Sequence, residues 1–333
     1  MKIIAITPNK KFDALVPSII EGMYDHGVEV IASDTGNSVK RSYTESEILH
    51  HAKDADYIFS FFGKVRNNKP PKYHLTYKIN QPEKSVYIDG SEWTATAYPD
   101  GNRTVTVPWG YNRSNTNLNS QVYESKFDSR RCKGTPWLNN DMYKFCKWYF
   151  KRECYAEDLK DGIIPLNLST HKKYFGNHNL EKDIDVFCSF GHLANGLRLE
   201  AYDICKQLQK EGYRVLIANN LSYEEYLKCI NRSYIGLSAW GAGNSCMRMW
   251  EIFANGSCCF IQRPEIEFIN KFTDGVNCVE YSTARELESK IRYYLTRKEE
   301  CIKIGKNGLE FVKKYHTGKS RFEYILENLK IRK

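Results

Sequence analysis

The strongest constraint on the fold is a regular alternation of short apolar segments with amphipathic helical stretches, and the chain shows it twice. In the first half the strand candidates cover residues 2–7, 28–32, 56–62 and 85–89, and a helical spacing of apolar residues separates the first two. Strands that alternate with helices form a parallel sheet with helices packed on its faces. The first half is therefore predicted to be an α/β domain.

The second half repeats this alternation more regularly. Its strand candidates cover residues 184–189, 214–218, 234–238, 258–262 and 276–281, and helices at 284–294, 299–315 and 319–330 finish the chain. Further helices are expected at 142–153 and 265–271, residues 99–140 show little periodicity, and 177–179 is the best linker candidate. Two parallel α/β domains in series would share a cleft, because open sheets bind ligands at the carboxyl ends of their strands.

Length and composition exclude several classes of protein. The 333 residues suffice for two domains, and 14% aromatic residues argue against a disordered chain. No apolar run approaches the roughly 18 residues of a membrane span, and the apolar start is too short for a signal peptide. The 11 cysteines contain no Cys-x-x-Cys pair, which favours free buried thiols in a reducing compartment. We therefore expect a cytoplasmic protein.

The net charge of +9 is spread evenly along the chain. Residues 1–180 carry 25 Lys and Arg against 20 Asp and Glu, and the remainder carries 24 against 20. Such an excess attracts phosphates, whether they belong to a nucleotide, to DNA or to an anionic membrane. Charge alone leaves these partners open.

The clearest local motif is a glycine loop that joins a predicted strand to a predicted helix. Backbone N–H groups and the helix dipole hold an anion at such a point, and Arg248 in the first turn is placed to bind a diphosphate. Glu251 follows on the same helix face, where a carboxylate can accept two ribose hydroxyls. A capped helix with an Arg–Glu surface pair explains these residues equally well. The loop residues singled out as ligand-binding candidates are Gly241, Gly243, Asn244 and Ser245.

A second strand-to-helix loop at 189–198 supports the phosphate interpretation. Gly191 permits a close approach of the backbone to a ligand, and Asn195 and Arg198 follow towards the helix. One such turn is common, but two at the strand ends of a single domain favour a phosphate-bearing ligand.

A series of further residues follows in order through the second half of the chain. They are Val186-Phe187 through Arg198, Arg248 with Glu251 and Gly256, 273–277, Glu286-Leu287 with Ile291, Tyr294-Leu295, Ile304 with Gly308, Tyr315-His316-Thr317 and Arg321. With these residues the stretch 184–325 resembles the C-terminal domain of GT-B glycosyltransferases, in particular the spore-coat CgeB-like group. The resemblance implies the GT-B fold, in which two Rossmann-like parallel-sheet domains face a central cleft. It implies an acceptor-binding domain over 1–178, a nucleotide-sugar-binding domain over 179–312, and a last helix within 313–333 that crosses back to the first domain.

The resemblance also implies roles for individual residues. Glu251 would bind the ribose of a nucleotide-sugar, a UDP-sugar in our prediction, with Arg248 and Arg198 near the diphosphate. Helix starts and arginines would stabilise the departing diphosphate, so no cofactor is required and no motif indicates a divalent metal. Many retaining GT-B enzymes carry a glutamate eight residues before the ribose-binding one, where this chain has Gly243. The resemblance therefore leaves inversion or retention at the sugar open.

The first half of the chain shows a weaker resemblance to a known family than the second half does. The segments 60–64 and 87–90 are similar to phage DNA β-glucosyltransferases, in which an aspartate at the end of a comparable strand is the general base. The equivalent here is Asp89, with Glu92 as the rival. An inverting transfer needs such a carboxylate to take the proton of the acceptor hydroxyl. An Asp-Gly turn that merely ends a strand explains Asp89 as well.

The sequence thus predicts a glycosyltransferase that moves a sugar to a hydroxyl on a glycan, cell-surface or small-molecule acceptor. One alternative is a DNA glucosyltransferase that acts on hydroxymethylated bases, which would need base flipping. Another is a non-catalytic protein that only binds a nucleotide-sugar. The oligomeric state is not set by the sequence.

Overall fold

The computed structural model describes residues 1–7, 15–36, 38–62, 73–90, 104–105, 123–124, 139–176, 180–191, 193, 196–241 and 244–331. The linker candidate at 177–179 and most of the stretch 99–140 lie outside these residues.

The first half is built around a parallel sheet. Its strands are β1 (Lys2–Ile6), β2 (Glu29–Ala32), β3 (Tyr57–Phe62), β4 (Ser85–Asp89), β7 (Trp148–Lys151) and β8 (Ile164–Pro165). The strands β5 (Thr104–Val105) and β6 (Tyr123–Glu124) form a separate antiparallel pair. The helices are α1 (Val16–Asp25), α2 (Glu45–His51), α3 (Tyr73–Ile79) and α4 (Asn140–Phe145). Among the described residues the sheet order is β2-β1-β3-β4-β7-β8, and every neighbouring pair is parallel.

The first turn of α2 is held by a reciprocal pair of capping hydrogen bonds. The Thr44 hydroxyl accepts a hydrogen bond from the backbone N–H of Glu47 at 3.3 Å, and the Glu47 carboxylate accepts one from the Thr44 N–H at 2.7 Å. This reciprocal pair satisfies two amide groups that the helix leaves open, and it fixes where α2 begins.

The helix predicted at 142–153 is wrong. The structure has a short helix, α4, and then the strand β7, which pairs in parallel with β4. All four residues of β7 are buried, and aromatic side chains such as Tyr149 and Phe150 are well suited to a buried pleated surface. The helical spacing of apolar residues is therefore followed only as far as Phe145, and beyond it packing in the sheet decides the structure.

The second half contains a parallel sheet with the order β10-β9-β11-β12-β13 among the described strands. These are β9 (Ile184–Cys188), β10 (Val215–Ile217), β11 (Ser233–Ser238), β12 (Cys258–Gln262) and β13 (Val279–Tyr281). The helices are α5 (Gly196–Lys210), α6 (Tyr223–Asn231), α7 (Met247–Ala254), α8 (Ala284–Leu295), α9 (Lys298–Tyr315) and α10 (Gly318–Ile331). The two parallel-sheet domains confirm the predicted α/β architecture.

The helix predicted at 265–271 is also wrong, because this segment is irregular. The side chain of Asn167, from the first half, donates to the Glu267 carbonyl at 2.9 Å and accepts from the Ile269 N–H at 2.9 Å. The backbone N–H of Glu267 donates to the Cys154 carbonyl at 2.7 Å. The segment thus finds its hydrogen-bond partners in the other domain instead of in a helix.

The last helix, α10, packs against α1 of the first domain. The backbones cross so closely that a Cβ atom added at Gly318 would lie 2.1 Å from the Ser18 carbonyl oxygen. The buried Arg321 guanidinium donates to the carbonyl oxygens of Asn167 and Leu168 at 3.1 and 2.9 Å. These contacts hold the last helix, α10, against the first domain.

A search of the described helices finds none with the length and apolar character needed to cross a membrane.

Candidate functional site

Two arginines from different helices meet at the carboxyl edge of the second sheet. Arg198 lies in the first turn of α5, which follows β9, and Arg248 lies in the first turn of α7, which follows β11. Because β9 and β11 are neighbours in the sheet, these two helix starts are brought together. The guanidinium carbons of Arg198 and Arg248 lie 5.4 and 4.9 Å from the centre of the Phe190 ring. Phe190 thus provides a shared aromatic surface for both cations.

The local environment of these arginines favours an anionic ligand. Arg198 is 4% exposed, and burial together with the positive charge of Arg248 lowers its pKa to about 10. The Nε atom of Arg248 is shielded from solvent without a hydrogen-bond partner, and no carboxylate of the described chain pairs with this side chain. Arg198 is buried and Arg248 is half-buried beside it, and two like charges at this distance repel each other, so the arrangement suits a phosphate or diphosphate that joins them.

Gly241, at the start of the glycine loop, lies beside this arginine pair. A Cβ atom at Gly241 would stand 3.1 Å from Nη2 of Arg198, which is tighter than an ordinary contact. The absence of a side chain there leaves room for the guanidinium. Gly191, in the other loop, is exposed and has open space around its Cβ position.

Glu251 lies one turn after Arg248 and is 5% exposed. Its Oε2 accepts a hydrogen bond from the Tyr226 hydroxyl at 2.9 Å, and its Oε1 accepts one from the Tyr223 hydroxyl at 3.1 Å. Burial raises the pKa of Glu251, and the Tyr226 hydrogen bond and the Arg248 charge oppose that effect. The exposed Arg–Glu surface pair considered from the sequence is wrong, because Glu251 is buried and pairs with tyrosines instead of Arg248.

Asn244 and Ser245, which follow in the glycine loop, contact the first domain. The Asn244 N–H donates to Oε2 of Glu153 at 2.8 Å, and the Ser245 carbonyl accepts a hydrogen bond from Arg152. Both loop residues are buried, with Asn244 also accepting from the Glu265 N–H at 2.8 Å. Asn244 and Ser245 therefore serve the contact between the domains in this arrangement, and their predicted ligand contact stays a prediction.

The carboxyl edge of the first sheet looks different. Asp89, at the end of β4, is fully buried, and its Oδ2 accepts from the Tyr149 hydroxyl at 2.6 Å and from Lys151 Nζ at 3.1 Å. Lys151 is itself 0% exposed. The pair is formed across neighbouring strands, where Asp89 and Lys151 stand opposite each other. The role of Asp89 as a general base stays a prediction, and this geometry gives it a structural role as well.

Three residues singled out from the sequence lie outside the described residues: Glu92, Asn195 and Gly243. Across the described chain, no three His, Cys, Asp or Glu side chains come together in a way that would hold a metal ion.

Sequence reasoning missed the tyrosine pair that holds Glu251. Tyr223 and Tyr226 belong to α6, whose first turn is capped by the Ser222 hydroxyl accepting from the Glu225 N–H at 3.2 Å. Their spacing of three residues puts both rings on one helix face, and this was the available signal. The partner, Glu251, could not be read from that spacing because it lies on another helix.

Comparison with known proteins finds a likeness to glycosyltransferases in the second half of the chain. Residues 183–327 match the family described as Glycosyl transferase-like. No curated protein matches the chain.

Solved structures similar to this one cover almost the entire chain. An α-glucosyltransferase in complex with UDP and a 13-mer DNA containing an HMU base has a TM-score of 0.61 at 9% identity, covering 99% of each chain. Anabaena HepE in complex with UDP-glucose has a TM-score of 0.52 at 10% identity, covering 99% of this chain and 100% of the other. A sucrose-phosphate synthase from Thermosynechococcus elongatus has a TM-score of 0.54 at 10% identity, covering 99% and 98%. At these identities the likeness concerns the fold.

Proposed function

We propose that this chain, a glycosyltransferase of the GT-B fold, transfers a glycosyl group from a nucleoside diphosphate sugar to an acceptor hydroxyl, and that the donor is a UDP-sugar. The fold and the glycosyltransferase assignment predicted from the sequence are confirmed, whereas the CgeB-like subtype stays a prediction. The observation that carries the proposal is the arginine pair at two helix starts beside the buried carboxylate of Glu251.

The geometry suits the two ends of a nucleoside diphosphate. Arg198 and Arg248 would bind the diphosphate and stabilise the negative charge that develops on it as its bond to the anomeric carbon breaks. Glu251 would accept hydrogen bonds from the ribose hydroxyls. The acceptor oxygen forms the new bond to the anomeric carbon and gives up its proton to a base, for which Asp89 remains the candidate.

UDP as the nucleotide is supported by similar folds. Both the α-glucosyltransferase and HepE structures contain UDP or a UDP-sugar. The contacts of Arg152 and Glu153 with the glycine loop bring the domains together next to this site. A closed cleft would exclude water and so limit hydrolysis of the donor.

The test is release of UDP from a panel of UDP-sugars, with and without hydroxyl acceptors. We expect slow hydrolysis of one donor alone and faster release with a suitable acceptor. The Arg198→Ala, Arg248→Ala double variant should lose both, whereas Arg285→Ala, an exposed arginine of the same domain, should retain them. A protein that binds UDP but neither transfers nor hydrolyses any donor would be the non-catalytic alternative.

A DNA acceptor is the second candidate. It is supported by the net charge of +9 and by the similar α-glucosyltransferase structure, which contains DNA with an HMU base. Duplex DNA with a hydroxymethylated base should then bind with an affinity that falls steeply as salt rises, and it should accept the sugar. Lack of binding at low salt would exclude this acceptor and leave the donor assignment intact.

A further inference from the structure

An acid and a base that are spaced to pair on α7 do not pair. Arg248 and Glu251 are three residues apart on one helix, a spacing at which opposite charges ordinarily attract. Nevertheless, the structure has no ion pair between them, although both residues lie in the described chain. The oxygens of the Glu251 carboxylate have other hydrogen-bond partners, and the attraction of Arg248 acts on it without a salt bridge.

These partners are the two phenol groups of α6. Each oxygen of Glu251 accepts one hydroxyl, Oε1 from Tyr223 and Oε2 from Tyr226. Proximity to Glu251 and burial raise the pKa of both tyrosines, so each remains a hydrogen-bond donor at neutral pH. The carboxylate thus accepts hydrogen bonds on both oxygens from neutral donors, while the charges of Arg248 and Lys173 act on it without a salt bridge.

The tyrosines are themselves fixed in place. The Tyr226 ring packs edge-on against the fully buried Phe187 of β9 at 5.6 Å between ring centres. Tyr223 stacks on Tyr226 at 6.1 Å with an angle of 23° between the rings. The packing of Tyr226 and the stacking of Tyr223 on it place the two hydroxyls side by side, where both donate to Glu251.

Hydrogen-bond capacity leaves room for a ligand. An ionised carboxylate offers about four lone-pair sites, two on each oxygen. One tyrosine per oxygen occupies half of them, so each oxygen retains the capacity to accept one more hydroxyl. A vicinal diol, such as the 2′- and 3′-hydroxyls of a ribose, has two donors with matching spacing.

We propose that Tyr223 and Tyr226 are positioning residues that aim Glu251 at the ribose and keep it from neutralising Arg248. This inference rests on the proposed function, since it takes Glu251 to be the ribose contact. It adds that discrimination between ribose and deoxyribose nucleotides depends on the two phenol groups.

The experiment compares the affinities for UDP and 2′-deoxy-UDP, measured by calorimetry. The unaltered protein should prefer UDP by roughly tenfold, the scale of one hydrogen bond to a charged group. The Tyr223→Phe, Tyr226→Phe double variant should lose most of this preference. Loss of folding or of phosphate binding would weaken both nucleotides equally and leave the ratio unchanged, so the ratio reports the positioning role. Tyr293→Phe removes the hydroxyl of an exposed tyrosine in the same domain and should keep the preference.

A second readout follows from the pKa of Glu251. Without its phenol donors the carboxylate is easier to protonate, so nucleotide affinity in the double variant should start to fall at a higher pH than in the unaltered protein. If Tyr226→Phe does not fold, Tyr223→Phe alone carries the test, because that ring is 44% exposed.

The outcomes separate the two claims. If Glu251→Gln removes the preference for UDP and the tyrosine variants retain it, the positioning role is wrong and the proposed function stands. If Glu251→Gln also retains the preference, the ribose contact itself is wrong. If UDP does not bind, the ADP, GDP and CDP pairs with their deoxy forms are measured, and failure of all of them overturns both claims.

Discussion

The two sheets end in opposite ways at their carboxyl edges. In the first domain, Asp89 and Lys151 are fully buried and satisfy each other, with Tyr149 as a third member. In the second domain, Arg248 and Glu251 are close along one helix but stay apart, and two arginines share one aromatic ring. A buried pair of opposite charges is costly to break from one side, whereas charges that form no salt bridge with each other are available to a ligand. The comparison supports the proposal that the nucleotide binds to the second domain, and it gives the Asp89 cluster a structural role.

The largest effect is expected from Asp89→Ala, because it removes the carboxylate that the buried Lys151 ammonium contacts at 3.1 Å. Removal of one member of a buried ion pair costs about 3–5 kcal/mol of stability. Urea unfolding measures the loss, and Asp54→Ala, which breaks an exposed pair with Lys2, should leave the midpoint nearly unchanged. A variant Asp89→Asn that keeps its stability and its UDP affinity but loses transfer would instead support the predicted general base.

The sequence predicted the two sheets well because buried parallel strands are nearly continuous apolar runs. The bounds of β4 and β12 match the predicted ones, and Arg248 and Glu251 lie on the helix expected for them. The strand β7 was missed because its register with β4 is set by tertiary packing. Consequently the partner of Asp89 was also missed, since Lys151 was expected on a helix.

Long-range partners limited the prediction of the site as well. The hydrogen bond between Tyr226 and Glu251 joins residues 25 positions apart on different helices. The contact of Glu153 with the Asn244 N–H spans 91 positions and both domains. Motif spacing describes one helix face or one loop, so it does not reveal which distant side chain completes it.

The second largest effect is expected from Arg248→Ala. It removes a guanidinium that forms no salt bridge with a carboxylate of the described residues, so UDP affinity should fall roughly 10- to 100-fold, whereas uridine affinity should change little. Calorimetry with both ligands measures the difference. Arg285→Ala serves as the control, and equal losses for UDP and uridine would contradict the diphosphate contact.

A smaller effect is expected in the pH dependence of stability, from Glu251 at the carboxyl edge of the second sheet. Burial raises the pKa of Glu251 above 4.5, so the native protein binds this proton more tightly than the unfolded chain. The stability that this group contributes is present below pH 4.5 and is lost as the pH rises through the raised value. Glu251→Gln should therefore gain stability relative to the unaltered protein as pH rises through this window. Unfolding experiments between pH 4 and 7 measure this gain, with Glu299→Gln at an exposed position as the control. An equal gain in the control would contradict the explanation by the burial of Glu251.

The smallest effect concerns a contact between His171 and helix α1 within the first domain. His171 Nε2 lies 3.2 Å from Oε1 of Glu21, and burial with the charges of Lys173 and Lys172 lowers the pKa of His171 to about 4. Its contribution to stability is present above pH 6.5 and is lost as the pH falls towards 4. His171→Gln should flatten the acid side of the stability profile, and the half-exposed His74→Gln should not. If the pH dependence of stability is unchanged in His171→Gln, the burial of this histidine does not contribute to the loss of stability in acid.

Thermal unfolding with a panel of nucleosides, nucleoside diphosphates and nucleotide-sugars tests the central claim most directly. A nucleoside diphosphate should raise the Tm, because a ligand that binds only the native state stabilises it, and UDP should raise it most. The nucleoside alone should have little effect at equal concentration. The shift should disappear in the Arg198→Ala, Arg248→Ala variant. If no diphosphate raises the Tm, or if the double variant responds like the unaltered protein, the carboxyl edge of the second sheet is not the donor site.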